Sequence, residues 1–341
     1  MLRTGIIGIG AMGRGHLDNL IRMKSEQNRD VDLVAICDID ENKFRINKID
    51  FNLDIGNCDC DFSAYNCYTD ADEMLEKEEL DLVLLILPTY IHCEYTVKCL
   101  DKGINVFCEK PMALNPKQCR KMIDAAERNN KKLMIGHCLR FSREYEIVKE
   151  VIDSGRYGKP IAGYFFRGGK PAKWSYNNWI LKRECGGGAI LDQHVHDVDI
   201  VNYFFGIPKA VTTLGKNLIE GSSYDTLSTH YIYDDCKVVN AQNDGVLANV
   251  GFTMAFRLNF ENGTITLSEN GLIAATRNEE PYTPEYDREN VYYSEIKYFA
   301  DCIMNDKPLL KNPPEESMDA IRVVMAEIES ADNNGRFVDV K

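Results

Sequence analysis

The stretch Thr4-Gly5-Ile6-Ile7-Gly8-Ile9-Gly10-Ala11-Met12-Gly13 decides the fold. An apolar run gives way to three glycines spaced Gly-x-Gly-x-x-Gly, and a helical pattern follows. In such a loop Gly8 permits a sharp turn, Gly10 lets the main chain approach a pyrophosphate, and Gly13 lets helix and strand pack closely. The phosphates then rest on the helix N-terminus, with Ile9, Ala11 and Met12 completing the loop. Glycines in a turn that binds nothing share this pattern, so its position at the start of a strand-helix-strand unit is what strengthens it. Asp38 closes the strand-like Val34-Ala-Ile-Cys37, 25 residues after Gly13. A carboxylate there accepts hydrogen bonds from an adenosine ribose, at an interval usually of about twenty residues. It also repels a 2′-phosphate, and Ile39 beside it supplies no compensating arginine, which favours NAD over NADP. The plainer reading of Asp38 is a turn residue.

Working outward, short apolar strands at Thr4–Ile9, Leu33–Cys37, Leu82–Leu87, Asn105–Cys108 and Lys132–Gly136 alternate with helical segments such as Pro116–Asn129. That alternation predicts an α/β domain, a Rossmann-type doubly wound parallel sheet with helices on both faces. Beyond Gly158 the texture changes to Ile161–Arg167, Ala210–Gly215, Leu227–Tyr233, Lys237–Gln242 and Gly251–Phe260. These predict a large, open, mainly antiparallel sheet in an α+β domain. In the last of them Phe252, Met254, Phe256, Leu258 and Phe260 take every second position, and Asn262-Gly263 then forms a tight turn into Thr264–Leu267. Helical spacing returns at Glu295–Asn305 and Glu315–Asp332. The expected division is an NAD-binding domain over 1–125 and a substrate-binding and oligomerisation domain over 126–341. Residues 126–140 form the crossover, and the last helix can pack back on the first domain.

The 341 residues carry 40 basic and 53 acidic side chains, a net charge of −13, which repels polyphosphate and argues against nucleic acid as a partner. The longest apolar run, Leu82–Leu87, ends at Pro88 and is far below the roughly twenty residues that cross a bilayer. No membrane partner is expected. The first residues run directly into a strand with no leader-like pattern, and twelve dispersed cysteines read as reduced thiols, so a cytoplasmic location is expected. Cys58, Cys60 and Cys67 resemble a partial metal site but lack the paired knuckles of structural zinc, and no metal is expected.

Two further motifs carry chemistry. Glu109-Lys110-Pro111 follows a strand, which places Lys110 at the carboxyl edge of the sheet, with proline starting the next helix. Isolated, the dipeptide is a surface ion pair. Far downstream, in Gly186-Gly-Gly-Ala-Ile-Leu-Asp192-Gln-His-Val-His196, a carboxylate precedes an imidazole by four residues, so one helical turn carries both and the acid can orient a general base. The competing reading is a helix-stabilising pair. His194, His196, Asp197 and Asp199 also suggest a metal cluster and a metal-dependent hydrolase, but helical spacing scatters them around the axis. Trp174 lies with Tyr176 and Trp179 in a loop where aromatic faces suit a sugar ring, or where they only anchor the loop.

Taken together, the Gly8–Gly13 loop, Glu109-Lys110-Pro111 and Asp192 to His196 resemble the hallmarks of the glucose-fructose oxidoreductase, inositol dehydrogenase and rhizopine-catabolism (Gfo/Idh/MocA) family, over nearly the whole chain. The resemblance implies that Lys110 contacts the nicotinamide end and the substrate hydroxyl, that His196 is the acid/base and that Asp192 positions it. It further implies cofactor contacts at Leu87, Pro88, His92 and Glu109, although Tyr90 stands where the family usually has asparagine. The segment Gly136-His137-Cys-Leu-Arg140 resembles the passage into the substrate domain, where His137 and Arg140 could meet substrate or Arg140 a salt bridge. The implied activity is NAD-dependent hydride transfer between nicotinamide and a secondary hydroxyl of a sugar, inositol or related polyol. The family also holds NAD-dependent glycosidases and non-catalytic dinucleotide-sensing regulators. A homodimer or homotetramer through the second sheet is the implied assembly.

Overall fold

A computed structural model describes residues 1–25, 30–46 and 58–341. The chain divides into two compact units. The first comprises Met1–Ala113, Lys117–Cys138 and Asn290–Glu315, and the second comprises Leu139–Glu289 and Glu316–Lys341 with the short Leu114–Pro116. A single boundary at residue 125 therefore does not describe the chain, because a helix from near its end, Val291–Met304, belongs to the first unit.

The first unit holds β1 (Leu2–Ile7), α1 (Ala11–Ser25), β2 (Val31–Cys37), β3 (Asn66–Tyr68), α2 (Ala71–Lys77), β4 (Leu82–Leu85), α3 (Thr89–Asp101), β5 (Asn105–Glu109), α4 (Pro116–Arg128) and β6 (Leu133–Gly136). The sheet order β3-β2-β1-β4-β5-β6 is that of a doubly wound dinucleotide fold, and every pairing is parallel. Its strands are covered on both faces, so they read as apolar runs: all four residues of β4 and all five of β5 are buried. Pro111 does not start a helix. Its bond to Lys110 is cis, and α4 begins only at Pro116.

The second unit holds α5 (Arg143–Ser154), β7 (Pro160–Gly168), α6 (Val195–Phe205) and β8 (Ala210–Lys216), followed by β9 (Thr226–Ile232), β10 (Val238–Asp244), β11 (Thr253–Phe260), β12 (Gly263–Ser268) and β13 (Gly271–Thr276). After α7, the Val291–Met304 helix of the first unit, it ends with α8 (Pro314–Asp332) and β14 (Val338–Asp339). The eight strands lie in the order β13-β12-β11-β7-β10-β9-β8-β14, antiparallel except for β7 beside β10. The alternation in β11 is as expected for Phe256, Leu258 and Phe260, which are buried. Phe252 precedes the strand and is exposed.

Candidate active site

The nucleotide loop fits the role of each glycine. Gly8 has φ +93°, and a Cβ there would lie 2.2 Å from the carbonyl oxygen of Ile86. A Cβ on Gly13 would lie 2.1 Å from the carbonyl oxygen of Gly8, so helix α1 and the loop touch through main chain alone. Gly10 differs: nothing stands within 4 Å of its Cβ position, so open space lies before the main chain at the entry of α1. That is the cradle a pyrophosphate needs, at a helix N-terminus that favours anions. Replacing Gly10 by alanine is expected to leave thermal stability within about 0.5 kcal/mol while weakening NAD binding at least about tenfold. Calorimetric titration reads the second effect, and unchanged affinity would place the dinucleotide elsewhere.

Asp38 closes the far side of this loop. The Ile9 amide donates to its Oδ2 at 2.9 Å and the Asp40 amide to Oδ1 at 3.0 Å. Lys43 Nζ donates to Oδ2 at 2.9 Å, a cation that sequence spacing did not point to. Ile9 therefore acts through its amide on Asp38 rather than through its buried side chain.

At the carboxyl edge of β4, Leu87 and Pro88 are half-buried and lead into α3. His92 is buried, with Nδ1 2.9 Å from the Pro111 carbonyl and Nε2 2.7 Å from the Leu87 carbonyl. Burial lowers its pKa, outweighing the carbonyl contacts that favour the charged ring. His92 thus clasps the loops that follow β4 and β5. Glu109 is held by side-chain and main-chain contacts as well. Its side chain is buried, Oε1 lies 2.7 Å from His16 Nε2, and Oε2 accepts from the Lys110 amide at 3.0 Å. Lys110 itself is half-buried beyond the end of β5.

In the second unit Asp192 lies in a π-turn, Ile190–His194, that runs into α6 and His196. A wide turn replaces the single α-helical turn expected, an irregularity common at functional sites. From Ile190 to Val201 only Asp192 and His196 are half-buried, and every other residue is buried. The glycine run before them makes this entry possible: Gly187 and Gly188 have φ +78° and +72°, and a Cβ on Gly188 would lie 2.6 Å from Ser222 Oγ. The close approach is to the chain itself.

The remaining charges of this segment turn inward and hold α6. Asp197 pairs with Arg167 of β7 (2.9 and 3.1 Å), and Asp199 takes Arg140 bidentately (2.7 and 3.0 Å). His194 Nε2 lies 3.2 Å from Glu327 of α8; burial lowers the His194 pKa, but the carboxylate outweighs it and the net direction is upward. Each of His194, Asp197 and Asp199 has its own protein partner, so the four residues do not converge on a metal. Arg140 also reaches Glu316 and is fully buried, which fits the salt-bridge reading of this residue within the second unit. His137 is buried just past β6. Trp174 packs with Trp179 and Ile219 on a small cluster of Ala172, Ile180 and Leu181, which fits loop anchoring. Cys58 and Cys60 are buried beside one another, Cys67 is exposed, and none of the twelve cysteines forms a disulfide. No helix among the described residues is long and apolar enough to cross a membrane.

An NAD-type cradle on a six-stranded parallel sheet, followed by a unit that presents a carboxylate and an imidazole from a clamped helix, defines a dinucleotide-dependent oxidoreductase architecture. Residues 2–137 match an oxidoreductase family with an NAD-binding Rossmann fold, and residues 145–282 match the GFO/IDH/MocA C-terminal domain. The chain belongs to the Gfo/Idh/MocA family. It is similar to a myo-inositol 2-dehydrogenase from Thermotoga maritima, 30% identical over 60% of this chain and 55% of that protein. It is also similar to a 2,7-anhydro-N-acetylneuraminate hydratase from Mediterraneibacter gnavus, 27% identical over 62% and 53%. The chain thus spans about half the length of such curated relatives. An NAD binding oxidoreductase from Klebsiella pneumoniae shares the fold with a TM-score of 0.84 at 20% identity, covering 100% of this chain and 99% of that one.

Proposed function

We propose that this protein catalyses NAD-dependent oxidation of a secondary hydroxyl on a sugar, inositol or related polyol, or the reverse reduction. The observation that carries the reading is the selective exposure of Asp192 and His196 on an otherwise buried segment, in a chain whose other unit bears the Gly8–Gly13 cradle and Lys110. NAD, when bound, accepts hydride from the carbinol carbon. The Gly10 main chain and the N-terminus of α1 hold its phosphates, and Asp38 takes its ribose. His196 removes the hydroxyl proton, for which an imidazole titrating near neutrality is suited. Lys110 stabilises the alkoxide that develops as the proton leaves. Asp192, four residues before His196, orients the ring.

The myo-inositol dehydrogenase relative supports a cyclic polyol as substrate. Kinetic assay of NADH formation with NAD against myo-inositol, its stereoisomers and pyranose sugars tests the reading: turnover is expected with at least one, and none across the set would sink it. The hydratase relative favours a second reading, transient oxidation and re-reduction with no net redox change, as in the NAD-dependent glycosidases. Product release from an anhydro or glycosidic sugar without accumulation of NADH distinguishes it. Loss of activity with a chelator, in a chain that does not bind NAD, would instead point to a metal hydrolase. In β9, β10 and β12 every second residue is buried and those between are not, and such a half-open face supports a homodimer or homotetramer, which light scattering reads directly.

A further inference from the structure

One residue before Lys110, three titratable side chains meet inside the first unit: His16 from α1, Glu109 from β5 and Glu295 from α7. One potential ligand atom from each lies within 4.8 Å of the others, and all three residues are buried. His16 is held edge-on against Phe107 and Tyr292, with ring centroids 5.4 and 5.7 Å away. Its Nε2 meets Glu109 Oε1 at 2.7 Å, and the other Glu109 oxygen accepts the Lys110 amide. Both oxygens of Glu295 lack a hydrogen-bond partner. Two carboxylates in so dry a place do not both ionise. Burial, reinforced by the charge on Glu109, pushes Glu295 well above the ordinary carboxylate range. Burial also acts on Glu109, but His16 and Lys110 outweigh it and hold that group below its ordinary value. The charge therefore resides on Glu109 and the proton on Glu295.

We propose that His16, Glu109 and Glu295 form a buried positioning cluster that fixes the main chain at Lys110 through Glu109 and so aims the lysine ammonium group. The consequence for turnover rests on the dehydrogenase reading, whereas the tether itself does not. Glu109 is the tether, His16 orients its carboxylate, and Glu295 closes the pocket from α7 as a neutral acid. None of the three touches the reacting atoms.

The test is amide hydrogen exchange over residues 109–113, where Pro111 has no amide, together with steady-state kinetics on myo-inositol and calorimetry with NAD. In Glu109→Gln, exchange at Lys110 is expected to quicken at least about tenfold, and kcat to fall by about 10–100-fold. The NAD dissociation constant is expected to stay within about threefold. Glu295→Gln keeps a neutral side chain of the same shape and should leave all three readings within about threefold of the wild type. Should Glu109→Gln not fold, His16→Leu removes the partner of Oε1 and should move exchange in the same direction. Unchanged exchange in a folded Glu109→Gln or His16→Leu would overturn the proposal, as would a Glu295→Gln as impaired as Glu109→Gln. One equivalent of tightly held divalent metal in the purified protein would also overturn it, because a cation rather than a proton would then hold the carboxylates. Faster exchange in a protein that oxidises no polyol would support the tether while sinking the dehydrogenase reading.

Discussion

His196→Ala is expected to lower kcat by about 10²–10⁴-fold, the usual worth of a positioned general base, with NAD affinity essentially unchanged. The two parts of the outcome separate because the imidazole and the cradle belong to different units of the chain. Lys110→Ala should behave alike in kcat, since removing a cation from a developing alkoxide costs about 10²–10³-fold in comparable sites. The two substitutions should not add. Once the proton acceptor is gone, stabilising the alkoxide contributes to a step that no longer occurs, so the double variant should resemble the worse single one. Asp192→Asn keeps the shape but removes the charge that orients the ring, and a smaller loss of kcat is expected. Stopped-flow measurement of NADH formation at saturating polyol checks the series. Turnover within twofold of the wild type in either alanine variant would remove His196 or Lys110 from the mechanism.

The residues behind these proposals stand out in the sequence because each depends on a local constraint. Three glycines within six residues, a carboxylate and an imidazole four apart, and a lysine at a strand end all declare themselves by spacing. The sheet of the first unit was legible for a similar reason: strands such as Leu82–Leu85 are buried on both faces and appear as unbroken apolar runs. Strands β3 and β14, of three and two residues, are too short to show any period. Partner choice was the main loss. The helical spacing in α7 marks an apolar face but not what that face covers, so its place in the first unit, against α1, was invisible. Arg140 shows the same limit, since its partners lie 59 and 176 residues away. His16 and Glu295 were missed altogether. The available signal was a carboxylate ending a strand that is buried on both faces, which requires something in the core to meet its charge.

Arg140→Met is expected to destabilise the protein by about 3–5 kcal/mol, the cost of leaving one member of a buried ion pair alone. Asp199, almost fully buried, would lose the bidentate guanidinium that meets its charge, whereas Glu316 is half-exposed and can turn to water. Against a total stability of about 5–15 kcal/mol, the loss is large enough to lower the unfolding temperature by about 10 °C. Asp199→Leu in the same chain should restore most of it, because the costly species is a buried charge stripped of its guanidinium and not the absence of the pair. The double variant also separates anchoring from catalysis. If Arg140 serves only to hold α6 within the second unit, the stability-restored double variant should retain most of its kcat. A double variant that is stable but inactive would return Arg140 to the substrate, whereas a single variant melting within 2 °C of the wild type, by the roughly 2–4 °C per kcal/mol expected of a unit this size, would show that the buried pair contributes little.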